Sequence, residues 1–401
     1  MNTISNAAGP LETTQVLIVG GGPVGLFAAL SAARRGLEVT LVEQNFRGHA
    51  RGHATTLHPS SLRLMAELGL SRQLLAEGHA LDSVQLYVDG NPALNLALPQ
   101  PALSLGQAAL EEILLNALRL ERVRILAPCE VSSLEQGPEF VRMSVARREL
   151  LTLGSTANCN ESQPVDTSVV EARFVIGADG YESFVRSALG VDNLHAGPTE
   201  TFALFEGPGF GAGSSLELAL DADFVSAIFP LVERRTRWGF QLGSELSREP
   251  DLEFLSSLLA QRAPWLTGKP ERVDWSIVTH FERRYARRFG SRRTWLAGDA
   301  AHVTSPFGGQ SMNGGLLEVH GLVERMAACI FEQKSLATLE QWAAEREREW
   351  HRLLGVQAQI EARPGTPTWL RDGAPRLLPA LPVSDRDLHQ LLEEMGLFIR
   401  R

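Results

Sequence analysis

Cysteine is scarce in this chain of 401 residues: Cys129, Cys159 and Cys329 are an odd number at wide spacing. That excludes a disulfide framework and the paired spacing of a structural zinc site, and makes a reducing compartment, the cytoplasm, the expectation. Positive charge is also short, with 38 Lys and Arg against 47 Asp and Glu and a formal net charge of -9. No general attraction therefore draws the chain to nucleic acid or to an anionic membrane face. Met1–Thr14 lacks a basic segment leading into an apolar one, so it reads as a short disordered tail and not as a secretory leader. A long uninterrupted apolar run is missing too. Val16–Ala33 comes nearest, but Gly20, Gly21, Gly22, Pro23 and Gly25 divide it into strand, turn and helix rather than a membrane span.

What is present is an ordinary globular composition, 44% hydrophobic and 21% charged, in a chain longer than one core usually serves. Gln15–Val19 and Glu38–Glu43 are strand-like and flank an Ala-rich helical stretch, Leu26–Arg35. Ser60–Leu68 and Gln107–Leu120 carry apolar residues at helical spacing. Ser83–Val88 and Ala93–Leu98 alternate as a hairpin around Asp89-Gly90-Asn91. Val123–Cys129, Phe140–Ala146 and Arg173–Gly177 read as strands, with Gly154–Asp166 as a mobile polar loop. A second hairpin, Phe224–Pro230 with Thr236–Leu242, marks a sheet-based module between about Leu194 and Arg288. Arg293–Ala297 returns as a strand, followed by helices over Asn313–Phe331 and Thr338–Leu354, a Pro-rich irregular stretch at Pro364–Pro382, and a last helix in Asp385–Ile399. The fold class expected is α/β.

Gly20-x-Gly22-x-x-Gly25 has the spacing of a dinucleotide-binding turn. With 36 glycines in the chain, chance alone supplies about 0.3 such spacings, so the context decides. A strand precedes the motif, a helix opens at it, and Glu43 closes the next strand. Gly20 permits the tight turn, Gly22 lets the backbone approach a pyrophosphate, and Gly25 lets helix and strand pack closely. Glu43 can accept from a ribose diol and would repel a 2′-phosphate, which favours FAD or NAD over NADP. A second match, Gly207-x-Gly209-x-x-Ala212, has no helix pattern behind it and reads as a loop. His49, His53 and His58 lack the Cys or carboxylate company a metal site needs.

Two further segments stand out: Ile176-Gly177-Ala178-Asp179-Gly180 running on to Arg186, and Trp295-Leu296-Ala297-Gly298-Asp299 through His302, followed by Pro306-Phe307-Gly308-Gly309-Gln310-Ser311-Met312-Asn313. With the first glycine motif they resemble the three signatures of the single-component FAD-dependent aromatic hydroxylases, the para-hydroxybenzoate hydroxylase-like family. The resemblance implies a Rossmann-like FAD-binding domain over 14–80, 100–193 and 289–335, an interleaved β-sheet substrate domain over 81–99 and 194–288, and C-terminal helices over 336–401. It implies that Gly20, Gly22, Val24, Gly25 and Glu43 hold the ADP half of FAD, and that Asp299, next to Gly298, bonds the ribityl chain. It also implies that the main-chain N–H groups of Met312 and Asn313 face the flavin pyrimidine, where a helix N-terminus would favour negative charge. Arg51, with His53 close by, and Gln107 resemble the family's other flavin contacts. Asp179 and Gly180 resemble its shared flavin and nicotinamide motif, with capping of the next helix as an equally good local explanation. His302 is expected to be framework. Ser311, Glu318 and Gly321 depart from the family's usual Gly, Asp and Asn; Ser311 is strained if its φ is positive, or caps the helix that follows.

The chemistry implied is that NAD(P)H reduces FAD, O2 adds at flavin C4a, and the hydroperoxide hydroxylates an aromatic or polyketide-like small molecule. Pro306, Phe307, Gly308 and Gly309 form the oxygen-side wall, the glycines leaving room for peroxide. Of the strand Thr236–Leu242, either Trp238, Phe240 and Leu242 or Arg237, Gly239 and Gln241 face the substrate. Arg237, Tyr285 and Gln241 are the groups considered for activating a phenol. A reductase or dehydrogenase on the same scaffold, or a silent flavin-binding protein, stays open, as does the oligomeric state.

Overall fold

The computed structural model describes residues 11–45, 54–150, 162–209, 213–243, 249–354 and 360–399. Ten helices run through them: α1 Pro23–Arg34, α2 Pro59–Glu67, α3 Ser71–Glu77, α4 Gln107–Leu118, α5 Phe184–Ala188, α6 Leu252–Arg262, α7 Gln310–Phe331, α8 Ala337–Leu353, α9 Thr368–Leu377 and α10 Asp385–Glu394. Strands Val123–Leu126, Val39–Val42, Leu11–Val19, Ser162–Gly177 and Thr294–Leu296 lie side by side and parallel. Such a sheet is buried on both faces, which is why Val16, Leu17 and Ile18 read as a continuous apolar run and are all fully buried. Helices α1, α4 and α7 cover this sheet, with Phe27, Leu30, Leu114 and Leu322 inside a single core.

A second eight-stranded sheet has the order Trp275–Phe281, Glu200–Pro208, Arg235–Leu242, Val225–Leu231, Ser215–Leu220, His79–Val88, Asn91–Gly106 and Ala54–Leu57. Both expected hairpins are part of it. Along Arg235–Leu242 the side chains alternate, and the structure decides which set faces where. Trp238, Phe240 and Leu242 pack against Phe254, Leu255 and Leu258 of α6 in a core of their own. Arg237, Gly239 and Gln241 point the other way, toward the loop before α7.

Four expectations are corrected. Leu11–Thr14 belongs to the first strand rather than to a tail, because it extends the parallel pairing with Val169–Ala172. Ser162–Asp166, placed in a polar loop, pairs antiparallel with the end of Val141–Leu150, so backbone pairing overrides its polar composition. The Pro-rich stretch contains α9, with Pro375 inside it. Its Gly373 sits so close to Leu220 that a Cβ would lie 2.9 Å from the leucine methyl, and this docking makes the helix worthwhile despite the proline. The last segment is not helical throughout, since Leu397–Ile399 pairs with Ile360–Ala362 as a small sheet. No helix among the described residues is long and apolar enough to cross a membrane.

Trp238 is fully buried beneath α6, and truncating a buried aromatic costs about 3–5 kcal/mol. Trp238→Ala should lower the urea midpoint by that equivalent. It should leave flavin content per folded molecule unchanged, because its core is separate from that of the parallel sheet.

Candidate active site

The four parallel strands Thr294–Leu296, Ser162–Gly177, Leu11–Val19 and Val39–Val42 end at one edge, where an open α/β sheet binds its ligands. From those ends emerge Gly298-Asp299, Ala178-Asp179, Gly20 and Glu43. Gly20 has φ +106°, and a Cβ there would overlap the Ala178 carbonyl; a Cβ on Gly25 would overlap the carbonyl of Gly20. Gly22 differs: nothing lies within 4 Å of where its Cβ would be. Two glycines thus close the turn and the third opens it. Helix α1 starts at Pro23 with no side-chain cap and no acidic residue in its first turn, so its positive end faces that opening. Glu43 stands at the rim, its Oε2 accepting from the Gly21 amide at 2.5 Å and its Oε1 from the Asn45 amide at 2.7 Å. An uncapped helix end, an open glycine and a carboxylate fit a dinucleotide's diphosphate and ribose.

The other two motifs converge on the same turn. A Cβ on Gly298, whose φ is +60°, would lie 3.1 Å from Val24 Cγ2, and one on Gly315 of α7 would lie 2.8 Å from the same methyl and 2.9 Å from Gly298 Cα. The N-terminal end of α1, the Gly298 turn and α7 therefore touch. Asp299 is exposed beside them, and Ser311 Oγ stands 2.5 Å from its Oδ1 and 2.9 Å from the His302 carbonyl. Ser311 has no positive φ, which falls instead on Gly309 at +65°, and Gly309, not Ser311, caps α7. The serine holds the aspartate. Asp179 accepts from the Ser183 hydroxyl at 2.6 Å and from the Val185 amide at 3.0 Å, and burial pushes its carboxyl above the usual range. It secures the start of α5, and Gly180, at φ +79° with open space around it, follows it in the turn. Gln107 bonds Glu111 within α4 at 2.8 Å. Arg51 and His53, like His49, lie outside the described residues.

Between Asp299 and α7 runs the loop Pro306–Gly309, and its anchors come from remote parts of the chain. His58 Nε2 donates to the Gly308 carbonyl at 2.6 Å, while its Nδ1 is buried with no partner among the described residues. Burial drops the His58 pKa to about 4, so the ring is neutral. Asn313 accepts from the His58 amide at 2.8 Å and donates to the Thr56 carbonyl at 2.7 Å. Its own amide donates to Gly309 at 3.1 Å, so of the expected N–H pair this one is taken up inside the helix. Gln310 Nε2 donates at 2.9 Å to both Leu381 and Val383 carbonyls. A Cβ on Gly308 would overlap the Pro379 carbonyl; this glycine admits a neighbouring chain segment, not the free space expected of it. Phe307 is buried edge-on against Phe202, ring centroids 4.9 Å apart, and a Cβ on Gly239 would overlap its ring.

Phe307 borders two small cavities. One, about 40 Å³, is lined by Arg237, Gly239, Pro306 and Gly309; the other, about 100 Å³, by Gln241, Glu200, Arg283 and Arg376. Arg237 is buried with Glu206, Nε to Oε1 3.3 Å. Tyr285 borders neither cavity and packs edge-on against His351 at 4.7 Å, which removes it from the groups considered for phenol activation. A larger cleft, about 380 Å³ between α8 and α10, touches none of the glycine motifs. His302 is buried, bonded through Nε2 to Glu318 at 2.8 Å and stacked on Trp350 at 3.5 Å, and Trp350 donates to the same carboxylate. The longer Glu318 reaches both partners, and Gly321 leaves room for Trp342, whose Nε1 would be 3.0 Å from a Cβ there. Among the described residues no His, Cys, Asp and Glu cluster could hold a metal. Sequence reasoning missed His58 as an anchor, Gln310 and the Pro379–Val383 segment. Their contacts span from 71 to 255 residues, and no local pattern reports them.

A family profile described as an FAD binding domain matches residues 13–355. The chain is 28% identical over 369 residues to 6-hydroxy-3-succinoylpyridine 3-monooxygenase of Pseudomonas putida, covering 87% of this chain and 88% of that protein. It is 25% identical over 383 residues to para-nitrophenol 4-monooxygenase of a Pseudomonas species, covering 90% and 88%. Among solved structures, p-nitrophenol 4-monooxygenase of Pseudomonas putida superposes with a TM-score of 0.74 at 21% identity, covering 96% of this chain and 94% of that one. Aklavinone-11 hydroxylase, solved with FAD and aklavinone, gives 0.68 at 22%, covering 85% and 67%.

The neutral His58 makes a stability prediction with a definite sign. Its folded pKa of about 4 lies below the unfolded 6.5, so the unfolded chain takes up the proton first as pH falls. Its contribution is whole above pH 6.5 and drains away toward pH 4. Between pH 7 and 5 the wild type should lose about 2 kcal/mol more stability than His58→Gln. Urea titrations of both proteins at the two pH values measure the difference, and equal slopes would reject a buried neutral imidazole.

Proposed function

The chain belongs to the FAD binding domain family, and from that premise we propose how its residues divide the work of a monooxygenase. It is an FAD-dependent oxidoreductase that hydroxylates an aromatic or polyketide-like small molecule. The observation that carries the residue assignment is the convergence of three separate motifs on one edge of the parallel sheet, around Val24. In this reading the open face at Gly22 and the uncapped end of α1 take the diphosphate. Glu43 exchanges its bond to Gly21 for the adenosine ribose, and Asp299, held by Ser311, takes the ribityl hydroxyls. The uncapped start of α7 places a positive dipole end where reduced flavin carries negative charge. Asp179 and Gly180 shape the same edge, chiefly through the turn into α5.

Bound FAD supplies the reduction by NAD(P)H and the activation of O2 that deliver an oxygen atom to the ring. The protein's part is position and dryness. Pro306, Phe307, Gly308 and Gly309 form the wall between the cofactor edge and the second sheet, and the clamp by His58 and Gln310 keeps that wall fixed. Arg237 presents a cation to the cavity beside Pro306, with Glu206 compensating it from behind, and favours negative charge on a phenolic oxygen. We assign cofactor binding to the parallel sheet with its helices, and substrate binding to the second sheet with α9 as its outer cover. The single-ring substrates in the names of the two Pseudomonas relatives make a hydroxylated ring the first class to test. Cys129 and Cys329 are free, in keeping with a cytoplasmic protein.

Incubation with hydroxylated aromatics, NAD(P)H and labelled O2 should place one labelled oxygen atom on the ring of an accepted substrate. Flavin that cycles on every ring tested without ever doing so would leave only an oxidase or reductase. Glu43→Ala and Asp299→Ala should each weaken FAD retention about tenfold, the loss of one or two hydrogen bonds to a charged or polar partner. Equal flavin-to-protein absorbance ratios after dialysis would refute both assignments.

A further inference from the structure

The cavity on the α9 side of Phe307 carries a charge imbalance. Its lining includes two guanidinium groups, Arg283 and Arg376, and one carboxylate, Glu200. Glu200 is already engaged: Oε1 accepts from Gln241 Nε2 at 2.9 Å, and Oε2 stands 3.5 Å from Arg283 Nε. That last pair is held by charge without a hydrogen bond, and Arg283 Nε is buried with no hydrogen-bond partner among the described residues. Arg376 has no carboxylate within ion-pairing distance among the described residues. Its Nη1 donates to a main-chain oxygen, that of Asp221, at 3.0 Å. The Asp221 side chain does not compensate it, being taken by Arg262 at 2.8 and 3.0 Å and by the amides of Phe224 and Asp223.

A half-buried guanidinium left with a single carbonyl, beside a second one with an unsatisfied N–H, is, among the described residues, a site short of one negative charge. The planar fork of arginine matches a carboxylate in both geometry and charge. The opposite walls of this cavity are apolar and aromatic: Phe202, Val225 and Phe307. Resting on the reading of the protein as an aromatic hydroxylase, we propose that its substrate is an aromatic carboxylate whose acid group is bound by Arg376 and Arg283, with the ring against Phe307. Arg376 lies on α9, outside residues 13–355, the part that matches the family profile. The residue is held in place by α9, through Gly373 on Leu220 and by Pro375 beside it in the cavity wall.

The test is a titration of the FAD-loaded full-length protein, following the flavin absorbance, with matched pairs: 3-hydroxybenzoate against 3-hydroxybenzamide, 4-hydroxybenzoate against 4-hydroxybenzamide, and salicylate against salicylamide. At least one acid should bind about tenfold or more tightly than its amide, the size of effect a charge-assisted hydrogen bond gives. Arg376→Gln should bring that ratio close to one with FAD content unchanged, and Arg376→Lys should restore part of it. If no acid exceeds its amide, if ionised phenols lacking an acid group bind better than the acids, or if Arg376→Gln keeps the preference, the proposal is overturned. Product analysis of the same mixtures separates the two claims. Acid-selective binding without oxygen transfer would spare this site and sink the hydroxylase reading; hydroxylation of neutral phenols with no acid preference would do the reverse.

Discussion

Everything at the cofactor edge depends on main chain approaching main chain where a side chain would not fit. Gly25 leaves its Cα facing the carbonyl of Gly20, and Gly20 leaves its own facing that of Ala178. These two approaches pull α1 down onto the strand Leu11–Val19 and bring the end of Ser162–Gly177 against the turn. Only then does Val24 reach Gly298 and Gly315, which docks α7 and, through Ser311, holds Asp299. A methyl group at Gly25 would push α1 off its own strand, and one at Gly20 would separate segments more than 150 residues apart in sequence. Gly22 is the exception, free of neighbours, and that freedom gives the edge its open face.

The parts legible in the sequence are those whose physics is local. The first strand, turn and helix, both hairpins and the two Asp-bearing turns each follow from residues within about ten positions of one another. Glu43 could be placed because the spacing of a βαβ unit is fixed by its own geometry. Where polar composition suggested loop, at Ser162–Asp166, the partner strand decided, and where prolines suggested irregular chain, the contact of Gly373 with Leu220 made a helix. The two faces of Arg235–Leu242 were separable by alternation, but alternation does not report which of them α6, the next helix in the chain, packs against. His58 shows the limit most clearly. Its neighbours in sequence suggested a histidine cluster, whereas its function in the fold is a bond to Gly308, 250 residues away.

The departures from the family's usual residues are compensated in space. Glu318 extends one methylene further than the expected Asp and thereby reaches both His302 and Trp350, which stack on each other. A buried carboxylate is costly unless its oxygens are bonded, and here donors approach it from three directions, the third being the Gly298 amide at 3.4 Å. Gly321 makes room for Trp342 and Gly314 for Trp350, so two tryptophans of α8 pack against glycines of α7. This network rests directly beneath the Gly298 turn. The helix pair that looks remote from the site therefore fixes the height at which Asp299 stands.

Pro306–Gly309 packs against the second sheet through Phe307 and against the C-terminal segment through Gly308. Gly308 is spaced by the Pro379 carbonyl and held by His58, Gly309 supplies the left-handed start of α7, and Phe307 fits the gap left by Gly239. The loop is thus anchored at Phe307, Gly308 and Gly309, and the phenylalanine borders the space on both sides of it. Phe307 borders both cavities, so its ring is common to the Arg237 side and the α9 side of the loop. Substitutions here change the loop, the start of α7 and the cavities beside Phe307 together. A side chain at Gly308 would meet the C-terminal segment at Pro379, one at Gly309 would meet Thr56, and one at Gly239 would meet the Phe307 ring first, so the three positions disturb different neighbours of the same loop.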